Sequence, residues 1–208
     1  MPEGFDDTAS FSKRIQVSDL TFKHELETLE VKVAFHEAVK TKTQLALREF
    51  STWPRLYEFS VGDSQAYQTG VKTVKPDGFI KLHQKDAEGI SWEHLFFLEL
   101  DRSTEKLDTL AEKAHYYRLF YRSGGMAVRV GIQAEDFKDV PFQVLFVCKS
   151  EERRDNIAKK LLEMRPPVLT QAMLSTFAEV CADPLGQIWR QPADYQDTET
   201  VPKRSLLD

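Results

Sequence analysis

Asp77, Glu99 and Asp101 are the residues in this chain whose types and spacing best fit chemistry. Asp77 stands in Val74-Lys75-Pro76-Asp77-Gly78, and the other two close the run Phe96-Phe97-Leu98-Glu99-Leu100-Asp101. Carboxylates that converge at a sheet edge lose hydration and repel one another unless a cation or a proton neutralises them. Hard oxygen donors of this kind suit Mg²⁺ or Mn²⁺, so the three acids are expected as metal ligands of a nuclease-like centre. One apolar strand, roughly 71–82, and a second, roughly 94–101, are separated by polar turn residues. Folding symmetrically about Glu88 and Gly89 sets Asp77 across from Glu99. Alternation along the second strand puts Phe97, Glu99 and Asp101 on one face and Phe96, Leu98 and Leu100 on the other. Glu99 is thereby expected to leave the core on the same side as Asp101.

Metal-dependent nucleases of this pattern follow their two acids with a lysine that orients and polarises the attacking water. Here Asp101 occupies the lysine position. The next helix can supply the missing cation. Its apolar stripe is centred on Leu110, and at about 100° per residue Lys106 and Lys113 fall at the border of that stripe. Lys113 is the preferred substitute, completing a catalytic set of Asp77, Glu99, Asp101 and Lys113. Each residue has an ordinary structural explanation: a Pro-Asp-Gly turn, solvated acids at a strand end, a snorkelling lysine. Together they argue for a site, because an acid inside an apolar run is costly without a partner. His24, Glu25, Glu27 and Glu30 on the first helix are further candidates, with His24 expected to cap or pack. Lys106, Arg118 and Arg122 form a basic set on the second helix, interleaved with Tyr116 and Tyr121, that could hold a phosphate backbone or simply be a solvated face. No His-Glu-x-x-His spacing, phosphate-cradling glycine loop or nucleophile-elbow pattern is present.

The surrounding sequence must fold to position these groups. A chain of 208 residues with 41% hydrophobic content suits one domain, expected over 19–192 between a loose arm (1–18) and a polar tail (193–208). The net charge of −5 gives no global attraction to DNA, so a nucleic-acid contact has to be local. Cys148 and Cys181 read as reduced thiols. No run approaches the roughly 18 apolar residues of a membrane span, and a cytoplasmic, membrane-free protein is expected. Phe22, Leu26, Leu29 and Val33 recur at helical spacing and mark the buried stripe of a helix from about Ser18 to Thr41. There follow a short strand (44–50), an unassigned polar segment (55–70), the acid-bearing hairpin, a helix (104–121) stopped by Ser123-Gly124-Gly125, a central strand (142–148), a helix (151–164) broken by Arg165-Pro166-Pro167, and a further strand (168–180).

This alternation implies an α/β fold, a mixed β-sheet flanked by helices, and its αβββαβ order is similar to a restriction-endonuclease-like core. The run from Phe96 to Glu105 with Lys113 and Tyr117, the upstream Lys75-Pro76-Asp77, the His24-x-Leu26 start of the first helix, and the late Ser175-Thr176-Phe177 and Asp183-Pro184-Leu185-Gly186-Gln187-Ile188-Trp189 resemble the replication-relaxation proteins of plasmids and mobile elements over roughly 20–192. The resemblance implies a DNA-associated role in replication, relaxation or mobilisation, with Asp77, Glu99, Asp101 and Lys113 at the matching site. Family members typically carry a winged-helix segment as well, for which this chain is short, so the DNA partner that the resemblance implies could be reached by this chain or through a separate DNA-reading chain. Two functions follow: a Mg²⁺-dependent DNA endonuclease, or a catalytically inactive nuclease-fold module that binds DNA or protein.

Overall fold

One sheet with apolar residues on both faces organises the chain. The computed structural model describes residues 19–55, 57–63, 70–103, 105–196 and 200–207; the arm at 1–18 lies outside them. The elements run α1 (Asp19–Lys40), β1 (Leu45–Ser51), β2 (Phe59–Asp63), β3 (Gly70–Val74), β4 (Gly78–Lys85), β5 (Ser91–Asp101), α2 (Leu107–Arg122), α3 (Gly125–Arg129), a 3₁₀ turn, β6 (Phe142–Cys148), α4 (Glu151–Glu163), β7 (Ala172–Thr176), α5 (Phe177–Ala182) and a second 3₁₀ turn at Pro192–Tyr195. Five strands form the main sheet in the order β1-β4-β5-β6-β7, and β2 and β3 form a separate ribbon. The pairs β1–β4 and β4–β5 are antiparallel, whereas β5–β6 and β6–β7 are parallel. The expected mixed sheet flanked by helices is therefore present.

Alternation on the central strands builds two cores. Phe97, Phe79, Val144 and Phe146 face α2 and α4, meeting Leu110, Tyr117, Phe120 and Ile157. Phe96, Leu98, Ile80 and Leu145 face the other way, against Val31 and Phe35 of α1 and against Trp189. β6 has apolar neighbours on both sides, as its continuous hydrophobic run requires. At the end of α2 the chain turns at Gly124, with φ of +71°, where a Cβ would come within 2.4 Å of the Ala134 carbonyl oxygen. A residue with a side chain could hold neither the conformation nor the contact.

Several sequence expectations are corrected. The first hairpin strand does not run unbroken from 71: Lys75 and Pro76 interrupt it, β3 pairs with β2 in the small ribbon, and only β4 joins the main sheet. The unassigned segment thus contains a strand. Residues 168–180 hold only the short β7. Thr176 then caps α5 through a reciprocal arrangement with Glu179, which redirects the chain into a helix. The tail returns to the body: Trp189 pairs with Arg204, and Leu206 is buried beside Trp189. The largest difference concerns α1, whose Phe22, Leu26, Leu29 and Val33 are exposed while Thr28, Val31 and Phe35 are buried.

Candidate active site

The acid-bearing hairpin folds in the expected register. Gly78 pairs with Leu98 and Lys85 with Ser91, which brings Asp77, immediately before β4, to the level of Glu99. The Asp77 amide donates to the Leu98 carbonyl at 3.0 Å, and its Oδ2 accepts from the Leu100 amide at 2.7 Å. The carboxylate thus continues the ladder beyond the end of β4. Its Oδ1 meets Nε2 of His24 at 2.8 Å, drawing the first turns of α1 to the same sheet end. Gly78 makes the close approach possible: a Cβ there would stand 3.3 Å from Leu98 and from the Phe50 ring.

Glu99 does not leave the core. It is only 2% exposed, beneath α2, where it accepts from Lys113 Nζ at 3.0 Å and from the Tyr117 hydroxyl. Lys113 is the lysine expected from helical spacing, and it also reaches Glu105 Oε1 at 3.1 Å. Burial pushes the Glu99 carboxyl up to about 7; the Lys113 ammonium opposes this, and the Asp77 charge adds to it. Burial works against the Lys113 ammonium, yet Glu99 and Glu105 outweigh it and raise the lysine above its ordinary value. The hydrogen bond to Asp77 raises His24 despite partial burial. Tyr117 is fully buried and held well above the ordinary phenol range, first by burial and then by the Glu99 charge. Its hydroxyl can orient Glu99 but cannot reach a bound polymer.

Asp101 shares the Glu99 face, as alternation requires, but it is engaged elsewhere. Arg153 of α4 grips it with Nε at 2.6 Å from Oδ2 and Nη2 at 3.2 Å from Oδ1, and the Ser103 amide donates to Oδ1 at 3.1 Å. Arg153 is a site residue that sequence reading missed, because no local pattern announces a contact 52 positions away. Glu105 was also missed as a donor. Its Oε2 is buried with no hydrogen-bond partner, and the residue lines a cleft of about 290 Å³ together with His24, Asp77, Asp101, Arg102 and Lys113. A larger groove of about 810 Å³ runs along α1 and shares no lining residue with this cleft.

The basic set divides. Lys106 is exposed at the start of α2, next to Glu105. Arg118 and Arg122 do not crowd the acids: at about 100° per residue they point roughly 140° and 180° away from Lys113. Arg118 instead donates to the Pro166 carbonyl and lies 3.0 Å from His115 Nδ1.

The replication-relaxation family model matches residues 2–132, more than half of the chain. The chain belongs to the replication-relaxation family. That match takes in α1, the acid-bearing hairpin and α2, hence His24, Asp77, Glu99, Glu105, Lys113 and Tyr117, and it ends before β6 and Arg153. It is shorter than the resemblance over 20–192 read from the sequence. No curated protein and no solved structure gives a match. For this replication-relaxation protein, membership suggests a role in plasmid or mobile-element replication or relaxation. Among the described residues no helix is long and apolar enough to cross a membrane.

Proposed function

We propose that this replication-relaxation protein nicks or cleaves DNA with the help of a divalent cation, using Asp77, Glu99 and Lys113. The carrying observation is that α2 delivers Lys113 to the buried Glu99 at the sheet end where Asp77 stands. That supplies the two acids and one lysine of the pattern from three separate elements. The order α1, β1, β4, β5, α2, β6 with its antiparallel-then-parallel pairing is consistent with a restriction-endonuclease-like core.

The donor set suits Mg²⁺ or Mn²⁺. Such ions keep several waters and need only one or two carboxylates beside substrate phosphates; among the described residues no group of three or more acids, histidines or cysteines is gathered closely enough to hold a metal by itself. Asp77 and Glu99 would hold the cation, and the orphaned Glu105 Oε2 makes Glu105 a better third acid than the Arg153-bound Asp101. A bound divalent cation would supply an activated water and charge neutralisation at phosphate. The chain's own groups do the rest. Lys113, held as an ammonium, stabilises the charge that grows on the phosphate oxygens; Tyr117 fixes the Glu99 carboxylate; His24 fixes Asp77; and Lys106 contacts the backbone beside the cleft. Arg118 and Arg122 face away, so any DNA contact by them is remote from the reacting phosphate.

A second reading has one observation in its favour. Asp77, Glu99 and Asp101 all have donors within the protein, as expected of an inactive module that keeps the network for architecture and holds DNA or a protein through its surface. Incubating supercoiled plasmid with the protein and Mg²⁺ or Mn²⁺ decides between them. Nicking that falls at least about 100-fold in Asp77→Asn and Glu99→Gln supports the nuclease. Undiminished nicking in both variants removes the assignment, and salt-sensitive DNA binding without cleavage selects the inactive module.

A further inference from the structure

The face of α1 turned away from the sheet is apolar and exposed. Phe22, Leu26, Leu29 and Val33 are 59, 43, 46 and 58% accessible, and they recur at steps of four, three and four. The inner face of the same helix, with Val31 and Phe35, is fully buried in the body of the protein. One helix therefore carries apolar residues on two opposite sides. The three steps of the outer row span 11 residues, an average of about 3.7, so this seam runs nearly straight along the helix and can lie against a second straight helix over this length.

We propose that this seam pairs antiparallel with the α1 of a second copy of the chain, across a two-fold axis. The flanking charges select both the partner and the direction. With Leu26 opposite the partner's Leu29 and Phe22 opposite the partner's Val33, Lys23 meets the partner's Glu30 and Glu25 meets the partner's Lys32. Two-fold symmetry repeats both contacts, giving four pairs of opposite sign. A parallel pairing would set Glu25 against the partner's Glu30 on both sides. The seam is also bordered by apolar surface: Trp53, 59% exposed, and Pro54 flank it beside Phe22, and Cys181 and Pro184 flank it beside Val33. A single helix pair buries roughly 1,000 Å², at the small end of stable interfaces, so the dimer is expected to dissociate at micromolar concentration.

Sedimentation velocity of the full chain, without DNA or metal, over about 2–200 μM tests this and does not depend on whether the protein cuts DNA. The expected mass rises from 24.0 kDa toward twice that value. Leu26→Glu should abolish the rise while leaving circular dichroism unchanged, because the helix's own core contacts are on the other side. Glu25→Lys and Lys32→Glu should each weaken the dimer by about 10-fold, and the double reversal should recover the original affinity within a few-fold. A constant monomer mass, a dimer indifferent to Leu26→Glu, or a dimer strengthened by Glu25→Lys would each overturn the proposal.

Discussion

Glu99 and Asp101 stand two residues apart on the same face of the same strand, both almost fully buried, yet their surroundings differ. Asp101 has a bidentate guanidinium from α4, so its charge is matched by a group with no alternative protonation state. Glu99 has a lysine it shares with Glu105, a tyrosine, and the neighbouring charge of Asp77. One acid is tied to a cation of its own, and the other shares its cation with a neighbouring acid. Strand geometry brings acids together; the partner contributed by another helix decides how firmly each charge is matched.

The largest test of this contrast removes the acid with a cation of its own. Asp101→Ala takes from the partly exposed Arg153 its bidentate acceptor and leaves it only the Glu105 carbonyl, and the midpoint of urea unfolding should fall by an amount equivalent to roughly 3 kcal/mol. A loss under about 1 kcal/mol would erase the distinction between the two acids. The surroundings of Glu99 should be read through activity as well as stability. Lys113→Met should cut metal-dependent nicking at least about 100-fold, or roughly 2.7 kcal/mol in the barrier, in plasmid relaxation assays. A next smaller effect is expected for Tyr117→Phe. Losing one hydrogen bond to a charged oxygen should cost about 1.5–3 kcal/mol in thermal unfolding and shift the pH profile of nicking.

Titration gives the smallest effect. The folded carboxyl of Glu99, near 7, lies above its ordinary value of 4.5, so its stabilising contribution is complete below about 4.5 and disappears as the pH rises through 7. Between about pH 6 and pH 8 the protein should lose about 1 kcal/mol of stability from this group, measured by urea unfolding in the absence of metal. Glu99→Gln should abolish that slope, and a slope that survives the substitution would assign it to another residue.

Legibility in the sequence followed locality. The hairpin register could be read because the polar turn around Glu88 and Gly89 is symmetric between two apolar strands, and Lys113 because helix period and strand period meet at a predictable border. The restricted reach of such patterns explains the failures. Arg153 belongs to an element that sequence spacing does not connect to β5. The regular apolar row of α1 lies on the side opposite the core, because periodicity identifies such a row without telling which body it packs on. The inner row mixes His24 and Thr28 with Val31 and Phe35, since its beginning reaches the acids and its end reaches the core. Phe59 and Val61 in β2 alternate with the polar Glu58 and Ser60, a run too short to stand out in the sequence; both are buried, with Phe59 packed on Phe97 and Phe120.

Asp77 serves as a splint as well as an acid, because its side chain receives the amide of Leu100 where β4 has no backbone left to offer. Replacing it with asparagine conserves an oxygen for that amide while removing the negative charge and the second acceptor oxygen that meets His24. Alanine would instead loosen the tip of β5 and displace Glu99 along with it. An isosteric amide therefore offers a way to separate scaffolding from reactivity at a position where the two share a single pair of atoms.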